Sequence, residues 1–255
     1  MKSLVHFITE SIDKQPKNRE ELRDMLLDML NKGITDFNSI DVSKITNMTL
    51  LFCTEEFEKV EFDISEWDVS HVEDMENMFT GCSKFNCDLS KWDVSHVTNM
   101  WSMFGGCTEF NGDISTWDVS NVKVFSEMFY DCKNFNQDIS KWDVSSATMM
   151  DNMFTGCSKF NCDLSKWDVS HVEDMRKMFK NCTSFNQDIS EWNVERVEDM
   201  GSMFDNCTSF NQDISKWDVN FLHFTQHIFR NCKALKSLPS WLSMFDKNSG
   251  DRIED

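Results

Sequence analysis

Proline is almost missing from the chain: Pro16 and Pro239 are its two prolines, and none lies between positions 17 and 238. So long a run without the residue that removes a backbone donor fits a continuous ladder of backbone hydrogen bonds. Glycine is scarce as well, at 8 in 255 residues, so the Gly-rich turns of calcium-binding solenoids are absent. Basic charge is in deficit, with 25 Lys+Arg against 44 Asp+Glu and a net charge of −19, which excludes a nucleic-acid binder built on phosphate neutralisation. No apolar run reaches 18 residues, so no transmembrane helix is expected. C-x-x-C, Walker, dinucleotide-binding and nucleophile-elbow motifs are all lacking, and His223 and His227 have H-x-x-x-H spacing without the Glu of a metalloprotease. No catalytic residue, metal site or cofactor follows from the sequence.

What is there is repetition. A single Tyr stands beside 22 Phe, 17 Met, 10 Cys and 9 Trp, the skew of one short unit copied many times. Trp67, Trp92, Trp117, Trp142, Trp167, Trp192 and Trp217 recur every 25 residues, as do Cys82 to Cys232 and Phe79 to Phe229. The unit reads D-V-S-x-V-x-x-M-x-x-M-F-x-x-C-x-x-F-N-x-D-[IL]-S-x-W, with regular copies over 68–217 and degenerate ends. Every regular copy is net acidic. Within it, Val97, Met100, Met103, Phe104 and Cys107 make one apolar stripe, which predicts a short helix with Asn99, Ser102, Glu127 and Asp151 on its solvent side. Trp92 and Val94 alternate with Asp93 and Ser95, which predicts a brief strand before it. No such coil covers its own apolar stripe, so stacking is obligatory.

The expected fold class is α/β, a leucine-rich-repeat-like solenoid of about seven to eight coils. Residues 1–39 are expected to form an N-terminal helical cap, with Asn18 as N-cap, Leu22, Met25, Leu26, Met29 and Leu30 on one face and Gly33 as the stop. The repeat solenoid occupies 40–232, a C-terminal cap with Pro239 occupies 233–246, and 247–255 is a charged, disordered tail.

The units W-D-V-S-x-V-x-x-M-x-x-M-F and F-N-x-D-I-S resemble the BspA-like leucine-rich repeats of bacterial surface proteins and mycoplasma lipoproteins over about residues 20 to 240. The resemblance implies a solenoid used in attachment or protein binding and carries over no catalytic residue.

Of the repeated polar residues, Asp88 and its equivalents read as acceptors in their own tight turns, against the alternative of a calcium-binding row. Asn86 and its equivalents read as an internal ladder serving backbone groups at a corner. The cysteines read as reduced and buried, with Cys87 and Cys162 off the stripe and exposed; His71, His96 and His171 read as surface residues.

Function is expected in the rows that vary between copies. Lys91, Thr116, Lys141 and Lys166 precede Trp, and His96, Asn121, Ser146, His171 and Arg196 follow D-V-S. These nine residues are the expected partner-binding set on the exposed strand-side, concave face of a non-enzymatic scaffold. The alternatives are an acidic decoy occupying a basic nucleic-acid-binding site, or a cell-surface adhesion module where a leader has been removed. The expected partner is a protein; nucleic acid and membrane insertion are not expected, and the chain is expected to be a monomer. MKSLVHFITESIDK lacks the features of a secretory signal, so the expected location is cytoplasmic, or surface or extracellular if a leader has been removed.

Overall fold

The structure, a computed structural model, describes residues 15–245, so the expected tail at 247–255 and the first 14 residues of the expected cap lie outside the described residues. The expected pattern of one helix per copy is not what the chain does. Among the described residues there is one α-helix, α1 (Arg19–Asn31), and one short 3-10 helix, Ser240–Met244. Between them the chain is a solenoid of stacked coils joined by single-residue parallel bridges, Asn47↔Asp74, Asp74↔Asn99, Asn99↔Val124 and onward to Asp199↔Phe224. The bridging residue lies just beyond the expected strand at Trp92–Val94, so that expectation is corrected too.

Backbone donors explain why no helix forms. Alternate amides point to the next coil: Met100 donates to the Val124 carbonyl, Ser102 to Ser126, Phe104 to Met128 and Gly106 to Tyr130, at 2.7–3.0 Å. The amides between them close three-residue turns, Met103 to Met100, Gly105 to Ser102 and Cys107 to Phe104. A helix would use all of these donors on carbonyls four residues back. The coil also passes twice per copy through the left-handed region, at Asn77, Ser102, Glu127, Asn152, Lys177, Ser202 and His227, with φ between 50° and 60°, and again four residues on, at Gly81, Gly106, Asp131, Gly156, Asn181, Asn206 and Asn231. That conformation is uncommon outside glycine and ends any right-handed helix. The pairing segment of each coil, residues 99–106 in one copy, makes what is here called the pairing face.

The interior is built by like residues stacking on like. Phe104, Phe129, Phe154, Phe179 and Phe204 follow one another at ring separations of 5.7 Å and within 8° of parallel. Trp92, Trp117 and Trp142 stack at 6.4 and 6.3 Å. The Trp row is buried throughout, at 3–4% exposed. Two polar atoms of this interior stitch coils together: the Trp117 indole N–H donates to the Leu89 carbonyl at 3.0 Å, and the Cys132 thiol donates to the Phe104 carbonyl at 3.0 Å. Each bond is a second one to a buried carbonyl that also closes a turn of its own coil, Leu89 with the Trp92 amide and Phe104 with the Cys107 amide. The Asn row is also a ladder, but an exposed one: the Asn136 amide donates to Asn111 Oδ1 at 2.9 Å, and Asn161 repeats this on Asn136. Cys162 is buried and Cys87 half-buried, so the expectation that both are exposed is corrected.

The helix α1 lies against the first coil. Asn18 accepts from the Glu21 amide at 2.9 Å, and Lys17 donates its amide to Glu21 Oε2 at 3.0 Å, which together hold the first turn. Leu22, Leu26 and Met29 are buried. At the other end Ile34 donates to Met29 and Gly33 to Leu30, with Gly33 at φ 74°, a left-handed stop that suits glycine. Arg19 donates to the Thr49 carbonyl at 2.8 Å, and Arg23 to the carbonyls of Leu51 and Leu50. The first coil has no earlier coil whose amides would donate to its carbonyls, and the two arginines supply donors in their place. At the far end Trp241 extends the Trp row, 6.4 Å from Trp217, and its indole N–H reaches the Ile214 carbonyl.

Candidate partner-binding face

The nine residues singled out from the sequence are all exposed. They sit at the tips of the turns closed by Trp92 on Leu89 and Val97 on Val94, and not on the face that carries the parallel bridges. Their expected place on a strand-side face is therefore corrected; whether that face is concave has no bearing on their position. Several are occupied with the preceding coil: Lys91 pairs with Glu66, Thr116 Oγ1 donates to the Ser90 carbonyl, and Asn121 Nδ2 to the Ser95 carbonyl at 2.7 Å. Between the two rows, Asp93 takes the Ser95 amide at 3.0 Å, as Asp88 takes that of Ser90 at 2.9 Å. The acidic rows thus serve as acceptors in their own turns, and among the described residues no group of His, Cys, Asp and Glu could hold a metal ion.

The pairing face is different in kind. Two of its rows are Glu76, Trp101, Ser126, Asp151, Arg176, Gly201 and Gln226, and Thr80, Gly105, Tyr130, Thr155, Lys180, Asp205 and Arg230, of which Ser126, Asp151, Gly105, Thr155 and Asp205 are buried. Seven residue types fill the seven places of the first row and six fill the second, against three in the row before Trp and five in the row after D-V-S. Trp101 and Tyr130 stand 42% and 39% exposed. In the bridging row, Val124 and Met149 pair with each other and are half-buried, between Asp74 and Asn99 on one side and Asp174 and Asp199 on the other.

Charge on this face is held by buried carboxylates. Asp151 accepts from the Ser126 hydroxyl and, at 3.1 Å, from Asn152 Nδ2, and lies 3.6 Å from Arg176. Asp205, 2% exposed, faces Lys180 at 3.4 Å and takes two bonds from Arg230, at 2.9 and 2.5 Å. Thr155 Oγ1 fixes the backbone by donating to the Lys177 carbonyl at 2.6 Å. Burial raises the Glu127 carboxyl above its ordinary range, with the Asp151 charge adding to it, and burial does the same to Asp174 against the opposing Arg176 amide. Glu127, Tyr130, Asn152, Arg176, Lys177 and Lys180 line an open cleft. Exposed aromatic side chains beside an anchored cation cluster suit protein recognition.

Sequence reasoning missed this face because it gave these residues to the solvent side of a helix. Asn99, Ser102, Glu127 and Asp151 lie on the pairing segments, and Ser102 and Asp151 are buried. Two signals were available: Tyr130 is the chain's one tyrosine, and Trp101 is the tryptophan that falls outside the 25-residue frame.

Residues 20–137, 46–165 and 149–248 each match a family described as "Mycoplasma protein of unknown function, DUF285". No curated protein matches the chain. Among solved structures, a leucine-rich repeat protein of T. pallidum is similar, at 12% identity and a TM-score of 0.41, over 73% of this chain and 83% of that one. TLR13, from its complex with ssRNA13, aligns at 9% identity with a TM-score of 0.20, over 86% of this chain and 44% of its own. No helix among the described residues is long and apolar enough to cross a membrane.

Proposed function

The chain belongs to this DUF285 family, and we propose that it is a non-enzymatic repeat scaffold that binds a protein partner through its pairing face. One observation carries the reading: the interior rows repeat Trp, Phe and Cys without exception over the regular copies, while the row through Trp101, exposed at Trp101, Arg176 and Gln226, never repeats a residue. An invariant interior is what stacking demands. Diversity at the surface of such a stack is what a single asymmetric partner demands. The carboxylates of this face are committed to hydroxyl, amide and cation partners, Asp151 to Ser126 and Asn152 and Asp205 to Arg230, which supports a role in recognition.

The test is capture from host extract on immobilised protein, followed by identification of what is retained. One variant carries Trp101→Ala, Tyr130→Ala and Lys177→Ala; the other carries His96→Ala, Asn121→Ala, Lys141→Ala and Lys166→Ala. The reading expects the wild type and the second variant to retain the same partner and the first to lose it. Loss through the second variant alone would move function to the turn rows. Retention by both variants, falling steeply with salt, would favour the acidic decoy.

A further inference from the structure

We infer that the partner presents an extended segment with an aromatic or aliphatic side chain at one end and carboxylates about four to five residues away. The inference rests on the pairing face being the binding face. The residue types that dominate protein interfaces, Trp, Tyr, Met and Arg, meet on consecutive coils as Trp101, Tyr130, Met149 and Arg176. They are ordered. Trp101 supplies an exposed ring at one end, Val124 and Met149 the one consecutive apolar pair in the bridging row, and Tyr130 a second exposed ring in the cleft of the cations.

At the other end three cations, Arg176, Lys177 and Lys180, fall within five residues of a chain whose net charge is −19. Two of them are held from beneath, Arg176 by Asp151 and Lys180 by Asp205, so their positions are set before a partner arrives. The cleft is of mixed charge, with Glu127 and Asp131 also lining it and Asp174 3.9 Å from Arg176, and its three cations are the groups there that carboxylates of a partner complement.

Spacing turns this order into a length. From the coil of Trp101 to that of Arg176 is three bridge steps, Asn99↔Val124, Val124↔Met149 and Met149↔Asp174. At about 4.8 Å a step the span is about 14 Å, which an extended chain rising about 3.3 Å per residue covers in about four to five residues. A single carboxylate or a free anion meets the cations and leaves the Trp101 ring uncovered; a segment of this length meets both.

The experiment is selection of displayed random dodecapeptides on the full chain, then fluorescence anisotropy of the enriched peptides with wild type, Trp101→Ala, Lys177→Glu and the turn-row variant His96→Ala/Lys141→Ala. The expected peptides carry an apolar side chain about four to five positions from a carboxylate. They bind at least about 10-fold more weakly to Trp101→Ala and Lys177→Glu, and equally well to the turn-row variant. Replacing the peptide carboxylates with lysine restores binding to Lys177→Glu, which a folding defect would not do. Enriched peptides without the acidic element that are still lost in Trp101→Ala overturn the partner chemistry and leave the face standing. Peptides lost only in the turn-row variant overturn both. Failure to enrich any peptide overturns the linear segment, and the capture experiment then judges the face by itself.

Discussion

The indole N–H of Trp142 donates at 3.1 Å to the carbonyl of Ile114, a residue of the preceding coil. The same bond recurs from Trp92 to Trp217, so the Trp row stacks its rings and also ties each coil to the one before it. Trp142→Phe keeps most of the ring and removes one of the two donors to the buried Ile114 carbonyl, which retains the Trp117 amide at 3.2 Å, a loss of about 0.5–1.5 kcal/mol. Trp142→Ala removes the packing as well and should cost about 3–5 kcal/mol. Urea unfolding of both variants checks this. A Phe variant as stable as wild type would show that the indole bond contributes nothing.

Eight of the ten cysteines should be almost inert in the folded protein. Burial pushes the thiols of Cys82 and Cys87 up to about 12 and that of Cys162 to about 11, and drives Cys107, Cys132, Cys157, Cys182 and Cys207 well above the ordinary range. The reactive species is the thiolate, so these eight should label slowly at pH 8 in native protein and at once in urea. Rapid native labelling of the interior row would contradict the thiol-to-carbonyl ladder.

Stability should respond to acid in two stages. Asp88, Asp163 and Asp188 are held below the ordinary carboxylate range by the amide, and then the hydroxyl, of the serine two residues on. Their folded values are depressed, so their contribution is whole above the unfolded value of about 3.9 and is lost as pH falls below it. Glu127 and Asp174 are raised by burial and act in the opposite sense, favouring the fold as they take up protons. A melting temperature that is level or rising from pH 7 to 5 and falling below about pH 4 is expected. Thermal scans across that range test it, and stability that climbs steadily to pH 3 would contradict it.

Arg19 and Arg23 supply donors to carbonyls of the first coil. Arg23→Met keeps the aliphatic stem and removes two of those bonds, from Leu50 and Leu51. The expected cost is about 1–3 kcal/mol. Light scattering should also show more self-association, because an uncovered edge pairs with other chains. No change in either measurement would mean that water serves these carbonyls equally well.

Much of this fold was legible in the sequence. The 25-residue frame, the Trp, Phe and Cys rows, the extent of α1 and its glycine stop all follow from spacing and local chemistry. The coil's inner geometry was not. Val97, Met100, Met103, Phe104 and Cys107 recur at three- and four-residue steps in a helix, and they do so equally in a chain of three-residue turns. What separates the two is where alternate amides go, and Met100 and Phe104 send theirs to Val124 and Met128, a copy away. A pattern of side chains carries no record of that choice. The misplaced helix then hid Trp101, Tyr130 and Arg176 among solvent positions, and attention fell on Lys91 and His96 instead.

The central claim is that the pairing face meets the partner. Photo-crosslinking tests it most directly, with benzophenone-bearing side chains placed singly at Trp101 and Tyr130 and, for comparison, at His96 and Ser146, each incubated with the captured partner and irradiated. The account predicts covalent adducts from positions 101 and 130 and none from 96 and 146. Adducts from 96 and 146 with none from 101 and 130 would contradict it.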